Sequence, residues 1–449
     1  MHKEIEILAQ TVIEQFGVAG MAIGIVREGQ IYAEGFGVRN IETQEPVTAS
    51  SLFHLASISK TFVATALMQL VEQGKVNLDA SIVQYLPDFR VDDERYRQIT
   101  VRQMLTHTSG MPDTDDYGWD QPEYDDRALE RYVHSLENER LIATPGEKFA
   151  YSNIAYEALG LLISRLSNQS FEDYIAQHLL RPLDMTSSTF LKMEVEPEHA
   201  TTPHVVLPPT MVSPAYPYNR AHAPSSTLHS SALELCSWAL MNLQRGEFRG
   251  QRILEATNFE QLWQPHRQTS PSHPVESVGL SWFIDTYRGH RRIRHDGMDV
   301  GFQSDLMLLP EQSLAVAVLA NTLPAPVNTI AEAILDLLLG LEPEFPKPPI
   351  LLPLAGILSE EGVAAAAHTY RSLEKTQADL YNFELEQFLD IGYTLLEVDQ
   401  RARGLQVAQL GMHLFPTSPE LTQLIEKLTR PGARASRPLE GLDTLPGET

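Results

Sequence analysis

Ser57-Ile58-Ser59-Lys60 is the stretch that decides how this chain folds and what chemistry it can support. It places a hydroxyl group and an amine three residues apart at the start of a strongly helical segment. Positions i and i+3 share one face of a helix, so the two side chains are expected to touch. A serine hydroxyl is a weak nucleophile until a base takes its proton, and a partly desolvated lysine can be that base. The motif predicts covalent hydrolysis on Ser57.

The same spacing occurs again at Ser372-Leu373-Glu374-Lys375, and the surroundings distinguish the two copies. The first is followed by an apolar stripe at helical spacing that ends at Gly74, which predicts a buried helix. A lysine at the start of a buried helix is costly unless it has partners. The second copy lies in a polar stretch and predicts a solvated face. The structural alternative for the first copy is an N-cap serine beside a lysine that reaches solvent.

Composition excludes several classes of function. The chain has 449 residues and a formal net charge of −25, which argues against nucleic acid and anionic membranes as partners. The single cysteine, Cys236, excludes an internal disulfide, and no metal-binding motif occurs, so neither a metal nor a cofactor is implied. The first sixteen residues predict an amphipathic helix without the apolar segment of a signal peptide. A cytoplasmic location is expected, unless an export signal has been lost.

Strand patterns occur at both ends of a long helical block. They are Val18–Arg27, Gln30–Val38, Val278–Tyr287, Arg291–His295, Gly301–Leu309 and Leu314–Leu319. Short turns join the late strands, so their sheet should be antiparallel. We therefore predict an α+β domain over residues 1–341, with a sheet subdomain of about 1–75 and 276–341 and an all-helical subdomain of about 76–275.

A different composition begins after residue 341. Residues 342–356 are rich in proline and predict a semi-rigid linker. Residues 357–430 predict a helical extension that weakly resembles tetratricopeptide-type helix pairs, and 431–449 are predicted to be disordered. The extension either packs on the catalytic domain or on another subunit, or it binds a protein partner.

Two further motifs could complete a serine–lysine site. In Tyr151-Ser152-Asn153, a tyrosine beside a cationic lysine can lose its proton more readily and pass one to a leaving group. Asn153 can donate to a substrate carbonyl and accept from Lys60. His295-Asp296-Gly297 ends a strand pattern, where glycine would let a substrate lie close to the strand edge.

Ser-x-x-Lys, Tyr-x-Asn and His-x-Gly in this order resemble the motifs of serine β-lactamase-like hydrolases and penicillin-binding proteins. The likeness covers about residues 4–340 and includes the blocks Leu105–Pro112 and Pro182–Met185. It is strongest to the branch that contains class C β-lactamases, D-aminopeptidases and family VIII carboxylesterases. It implies a sheet domain and a helical domain with the site between them, and an acyl-enzyme on Ser57. The implied catalytic residues are Ser57, Lys60 and Tyr151, and the implied substrate-binding residues are Asn153, His295, Asp296, Gly297 and Met298. The backbone N–H of Met298 would form an oxyanion hole with that of Ser57.

The third motif departs from penicillin-recognising members, which usually carry Lys-Thr-Gly. Here His295 replaces the lysine and Asp296 the threonine. An aspartate facing the pocket would repel the carboxylate of a β-lactam or a D-Ala-D-Ala peptide. We therefore predict hydrolysis of small esters, amides or short peptides. The alternatives are a β-lactamase or D,D-carboxypeptidase, and an inactive scaffold whose C-terminal helices recruit a protein partner or a second copy.

An acidic, aromatic-rich segment follows at Asp113–Asp126. One interpretation is a solvated loop. The other is a pocket rim that favours cationic or amine-bearing substrates.

Overall fold

The computed structural model describes residues 2–114, 116–206, 209–269 and 275–430. Its centre is an eight-stranded sheet in the order β2-β1-β8-β7-β6-β5-β4-β3, with every neighbouring pair antiparallel. The strands are β1 (Gly20–Arg27), β2 (Gln30–Gly37), β3 (Arg267–Gln268), β4 (Ser277–Val278), β5 (Phe283–Tyr287), β6 (His290–Asp299), β7 (Phe302–Leu309) and β8 (Leu314–Ala320). The predicted α+β class with an antiparallel sheet is confirmed.

Helices cover both faces of the sheet. Helix α1 (His2–Phe16) and helix α5 (Val327–Leu339) share an apolar cluster with alternate residues of β1 and β8. Helix α4 (Ala232–Leu243) and helix α2 (Ser59–Glu72) contribute to the larger cluster on the other side. Since strand side chains alternate between faces, β1 can supply Ile23 to one core and Ala22 to the other.

The helical block between β2 and β3 is built around two long helices, α2 and α3 (Asn153–Ser167). Helix α2 follows a short 3₁₀ turn at Ala56–Ile58 and is buried along most of its length, as its apolar stripe predicts. Gly74 follows its last residues with φ +69°, the left-handed conformation typical of a glycine beyond a helix end. Shorter helices complete the block: Val101–Leu105, Ala128–Ser135, Phe171–Ile175, Ala223–Ser226 and Ala256–Leu262.

Five helices form the C-terminal extension: α6 (Leu351–Glu360), α7 (Val363–Thr376), α8 (Glu386–Glu397), α9 (Arg401–Leu414) and α10 (Pro419–Thr429). Their apolar cluster includes Val205 and Val300, and Trp119 packs against it. Because all three residues lie outside the extension, its helices pack on the body of the molecule. The predicted disordered segment 431–449 lies outside the described residues.

Three boundaries differ clearly from those expected from the sequence. The strand pattern Val278–Tyr287 is divided between β4 and β5, which residues 279–282 separate. The predicted linker 342–356 is irregular only at its start, since α6 begins at Leu351 with Pro353 in its first turn. Proline is tolerated there because no intrahelical N–H bond is required of it. Strand β6 was expected to end at His295 but continues to Asp299, because Gly297, Met298 and Asp299 pair with Ser304, Gln303 and Phe302 of β7. Across the described ranges, no helix is both long and apolar enough to cross a membrane.

Candidate active site

The Ser57 turn sits at the junction of the sheet and the helical block. Ser57 lies in the 3₁₀ turn, and Ala56 before it has φ +47°, a left-handed conformation that is strained for a residue with a side chain. The helix-capping positions at Leu55 and Ile58 carry no side-chain cap, so Ser57 does not serve as an N-cap. Its hydroxyl instead meets Lys60, whose Nζ donates to Ser57 Oγ at 2.8 Å.

Lys60 is fully buried and makes a second hydrogen bond, from Nζ to the backbone oxygen of Ser225 at 2.8 Å. Burial lowers the pKa of Lys60 to about 8, and the nearby carboxylates of Glu157 and Asp113 oppose that shift. Desolvation penalises the ammonium more than the neutral amine. A substantial neutral fraction near pH 8 is what a general base for Ser57 requires.

Tyr151 lies near the same hydroxyl. Its own hydroxyl hydrogen-bonds the Ser57 side chain, and the Lys60 amine lies 5.1 Å from the centre of its ring. The ring stacks on His107, with centroids 4.1 Å apart. We expected the lysine to lower the pKa of Tyr151, but burial raises it well above its ordinary value. Tyr151 is therefore a neutral hydroxyl, suited to relaying a proton rather than to acting as an anionic base.

Asn153 lies at the start of α3 and is held by residues that the motif did not include. Its Nδ2 donates to Asp113 Oδ2 at 2.9 Å and to the Tyr117 hydroxyl at 2.7 Å, and its backbone N–H donates to Asp113 Oδ1 at 2.9 Å. Burial raises the pKa of Asp113 to about 6, opposed by these N–H donors. The expected hydrogen bond from Lys60 to Asn153 is replaced by the one to Ser225.

The third motif lies within β6, where this strand borders the cleft. Arg294 is the last residue of β6 that pairs with β5, so from His295 onward that edge is no longer covered by β5. His295 is buried, and its Nδ1–H donates to the backbone oxygen of Asp296 at 2.7 Å. Burial lowers the pKa of His295 to about 4, so the ring is neutral at physiological pH.

With Nδ1 carrying the proton, His295 Nε2 is a hydrogen-bond acceptor. It is buried, lies on a residue that lines the cleft, and has no hydrogen-bond partner among the described residues. The Asp296 side chain beside it is about half exposed and also lines the cleft. This corner therefore offers acceptors and negative charge, whereas the lysine of penicillin-recognising members offers donors and positive charge.

Gly297 lines the cleft and is also packed closely against the Ser57 turn. A Cβ atom at this position would lie 2.2 Å from the Leu55 carbonyl oxygen and 2.9 Å from the Ser57 nitrogen. The glycine thus makes room for the backbone of the Ser57 turn. Met298 follows on the strand and lines the cleft with a side chain that is 37% exposed.

The cleft itself has a volume of about 1730 Å³ and brings all three motifs together. Tyr117 and Trp119 line it together with Ser57, and so do residues of the C-terminal extension, including Tyr381 and Gln387. Ligand pockets typically measure about 300–1,000 Å³, so this cleft exceeds what a small acyl group needs.

The first part of the acidic segment 113–126 agrees with the interpretation as a pocket rim, and the later part does not. Asp113, Asp116 and Asp120 line the cleft. The later members make structural ion pairs instead, Glu123 and Asp125 with Arg131, and Asp126 with Arg220. Asp115 lies outside the described residues.

Three comparisons place this geometry among known proteins. A sequence profile of the β-lactamase family matches residues 8–340. Protein flp of Staphylococcus aureus (strain NCTC 8325 / PS 47) is 26% identical over 325 residues, which are 71% of this chain but only 63% of that relative. The octameric penicillin-binding protein homologue from Pyrococcus abyssi superposes on this chain with a TM-score of 0.66 and is 27% identical in sequence. The superposition covers 80% of this chain and 81% of the homologue. The D-amino acid amidase from Ochrobactrum anthropi SV3 shares the fold, with a TM-score of 0.66 at 18% identity over 76% of this chain and 99% of its own.

Proposed function

The chain belongs to the β-lactamase family of serine hydrolases, and from that premise we propose that it hydrolyses small esters and amides through an acyl-enzyme on Ser57. The observation that carries the proposal is the 2.8 Å contact between Ser57 Oγ and the buried Lys60 amine. A lysine with a pKa near 8 can accept the proton that makes the hydroxyl a nucleophile.

In the first half-reaction, neutral Lys60 takes the Ser57 proton while Oγ bonds to the substrate carbonyl carbon. The negative charge moves to the carbonyl oxygen, where the backbone N–H groups of Ser57 and Met298 are the proposed donors. The C–O or C–N bond then breaks, and Lys60 returns the proton to the leaving group through the Tyr151 hydroxyl. Water then attacks the ester on Ser57 while Lys60 accepts its proton, and the bond between the acyl carbon and Oγ breaks. Lys60 passes that proton to Oγ, which releases the acid and restores the enzyme.

The residues of the third motif favour substrates that carry no carboxylate near β6. Both His295 Nε2, as an unprotonated acceptor, and Asp296, as an anion, would repel such a group. β-Lactams and D-Ala-D-Ala peptides carry one, so β-lactamase or D,D-carboxypeptidase activity is disfavoured.

The same acceptors support a substrate that bears an amine. Asp113, Asp116, Asp120 and Asp296 all line the cleft, and acidic side chains outnumber basic ones along its wall. An ammonium or N–H group would satisfy the buried acceptor at His295. We expect an aminoacyl amide or ester to give a higher kcat/KM than its N-acetylated form. Equal values would remove the amine preference and leave the esterase proposal standing.

The proposal is tested by labelling the protein with a fluorophosphonate and by comparing turnover of p-nitrophenyl butyrate and nitrocefin. We expect labelling and ester turnover in the wild type, both abolished in Ser57→Ala, with little nitrocefin hydrolysis. Ser372→Ala removes the serine of the second Ser-x-x-Lys copy and is the matched control, which should behave as wild type. A folded wild type that is neither labelled nor active on the ester would favour the scaffold alternative. Efficient nitrocefin turnover would favour the β-lactamase alternative.

A further inference from the structure

A buried carboxylate that the three motifs do not include lies one helical turn beyond Asn153. Glu157 of α3 has a fully buried side chain. Its Oε1 accepts from Ser225 Oγ at 2.5 Å and contacts His222 Nδ1 at 3.1 Å. Its Oε2 is buried and has no hydrogen-bond partner in the described part of the chain. A buried carboxylate with one unpaired oxygen is costly, and its retention calls for an explanation.

Ser225 connects this carboxylate to the catalytic lysine. Its hydroxyl donates to Glu157, while its backbone oxygen accepts from Lys60 Nζ at 2.8 Å. The short helix Ala223–Ser226 that carries Ser225 packs tightly on α3, since a Cβ atom at Gly160 would lie 2.1 Å from Pro224 Cγ. Contacts with α3 therefore fix the position of the Ser225 carbonyl.

We propose that Glu157 is a positioning residue for the acylation step, which holds the Ser225 carbonyl against the Lys60 amine through the Ser225 hydroxyl. Its buried carboxylate also places negative charge near that amine. The inference rests on the proposed function, in which Lys60 cycles between amine and ammonium. A carboxylate that stabilises the ammonium would help Lys60 to keep the proton until the leaving group takes it.

Several charged and titratable groups face Lys60 besides Glu157. The carboxylates are Asp113, Asp296 and Asp299, the neutral imidazole of His295 is nearby, and the rings of Tyr151 and Tyr156 flank the amine. Each of the four carboxylates has a further partner, which for Glu157 is His222. Asp113 accepts from Asn153, Asp299 contacts His54, and Asp296 lies near Arg294 and is half exposed. Glu157 alone among them has a wholly buried side chain, and it exerts the strongest of the four effects on Lys60.

The test is the pH dependence of kcat/KM for p-nitrophenyl butyrate in Glu157→Gln. In the wild type, kcat/KM should rise through an acidic limb near pH 8, as Lys60 loses its proton. Glutamine keeps the size of the side chain but removes the charge, so the Lys60 pKa should fall and the limb should move to lower pH by about one unit. Glu172→Gln is the matched control, since Glu172 is a buried carboxylate of the same block that pairs with Arg220 and does not face Lys60. Its limb should stay in place.

A limb that does not move in folded Glu157→Gln would overturn the inference, even if the plateau fell. If that variant does not fold, the variants Glu157→Asp and Ser225→Ala test the inference instead. Both retain the negative charge but disturb the contact, so the plateau should fall several-fold without a shift of the limb. A full wild-type plateau in Ser225→Ala would overturn the positioning role. Absence of ester turnover in the wild type would instead refute the proposed function.

Discussion

Gly297 shows how a single residue joins the strand motif to the turn that carries Ser57. Its missing side chain lets β6 lie directly against the Leu55 carbonyl and the Ser57 amide. The same contact is reinforced by Ser304 of β7, whose Oγ donates to the Leu55 oxygen at 2.9 Å. Contacts with the sheet thus determine the position of Ser57, in addition to the helix that follows it.

Gly297→Ala should therefore displace the Ser57 turn or the strand. We expect a loss of stability of about 1–3 kcal/mol, typical of overpacking, together with a large fall in the rate of fluorophosphonate labelling. Thermal melts and labelling kinetics measure the two effects. Gly356→Ala is the control, because a Cβ atom there meets nothing within 4 Å in the helix α6. Unchanged labelling in Gly297→Ala would contradict this account.

At this scale, much of the candidate site was predictable from the sequence. Ser57 and Lys60 meet as expected because one short motif sets their spacing, and Tyr151 lies beside them as the family resemblance implies. The pKa direction of Tyr151 was not predictable, since it depends on burial by distant segments. The partners Asp113, Glu157 and Ser225 were also missed, because each is set by packing between segments rather than by spacing along one.

At the scale of elements, Trp119 links the C-terminal extension to the active site. Its ring packs on the apolar cluster of the extension and stacks on Tyr117, with centroids 5.1 Å apart. The Tyr117 hydroxyl in turn accepts from Asn153 Nδ2. The stacked pair Tyr117 and Trp119 therefore connects the extension to the side chain of Asn153, a proposed substrate-binding residue.

Trp119→Ala should loosen this connection without touching Ser57 or Lys60. We expect KM for an aminoacyl amide to rise several-fold, while kcat for p-nitrophenyl butyrate changes little. Steady-state kinetics on the two substrates measure the split. Trp119→Phe should retain most of the stacking and the wild-type KM, and Leu380→Ala, at an exposed position of the extension, should have no effect. An unchanged KM in Trp119→Ala would show that the extension does not act through this contact.

The element boundaries that sequence reasoning missed have physical causes. Strand β6 continues past His295 because its partner β7 supplies the pairing, although Asp296, Gly297 and Asp299 have low strand propensity. Helix α6 was hidden by Pro353, which is disruptive inside a helix but harmless in a first turn. By contrast, the apolar period of α2 correctly predicted a buried helix, although the polar residues Ser59, Lys60 and Thr61 at its start are buried as well.

For the whole molecule, the net charge of −25 and the acidic lining of the cleft act in the same direction. A cationic substrate should be attracted at long range, and added salt should screen that attraction. We expect kcat/KM for an aminoacyl amide to fall several-fold between about 20 mM and 500 mM NaCl. The neutral ester p-nitrophenyl butyrate is the matched control and should respond little. Equal salt dependence of the two substrates would argue against electrostatic selection.

The order of strands in the sheet also governs when an active molecule can exist during synthesis. Strand β8, near residue 320, lies between β1 and β7, and the Ala19 amide donates to Thr322 Oγ1 across 303 residues of chain. A nascent polypeptide that has exposed only its first half carries Ser57 and Lys60 but lacks the strands that seat them. We therefore expect Ser57 and Lys60 to lack their folded geometry until nearly the whole β-lactamase-family domain has been translated.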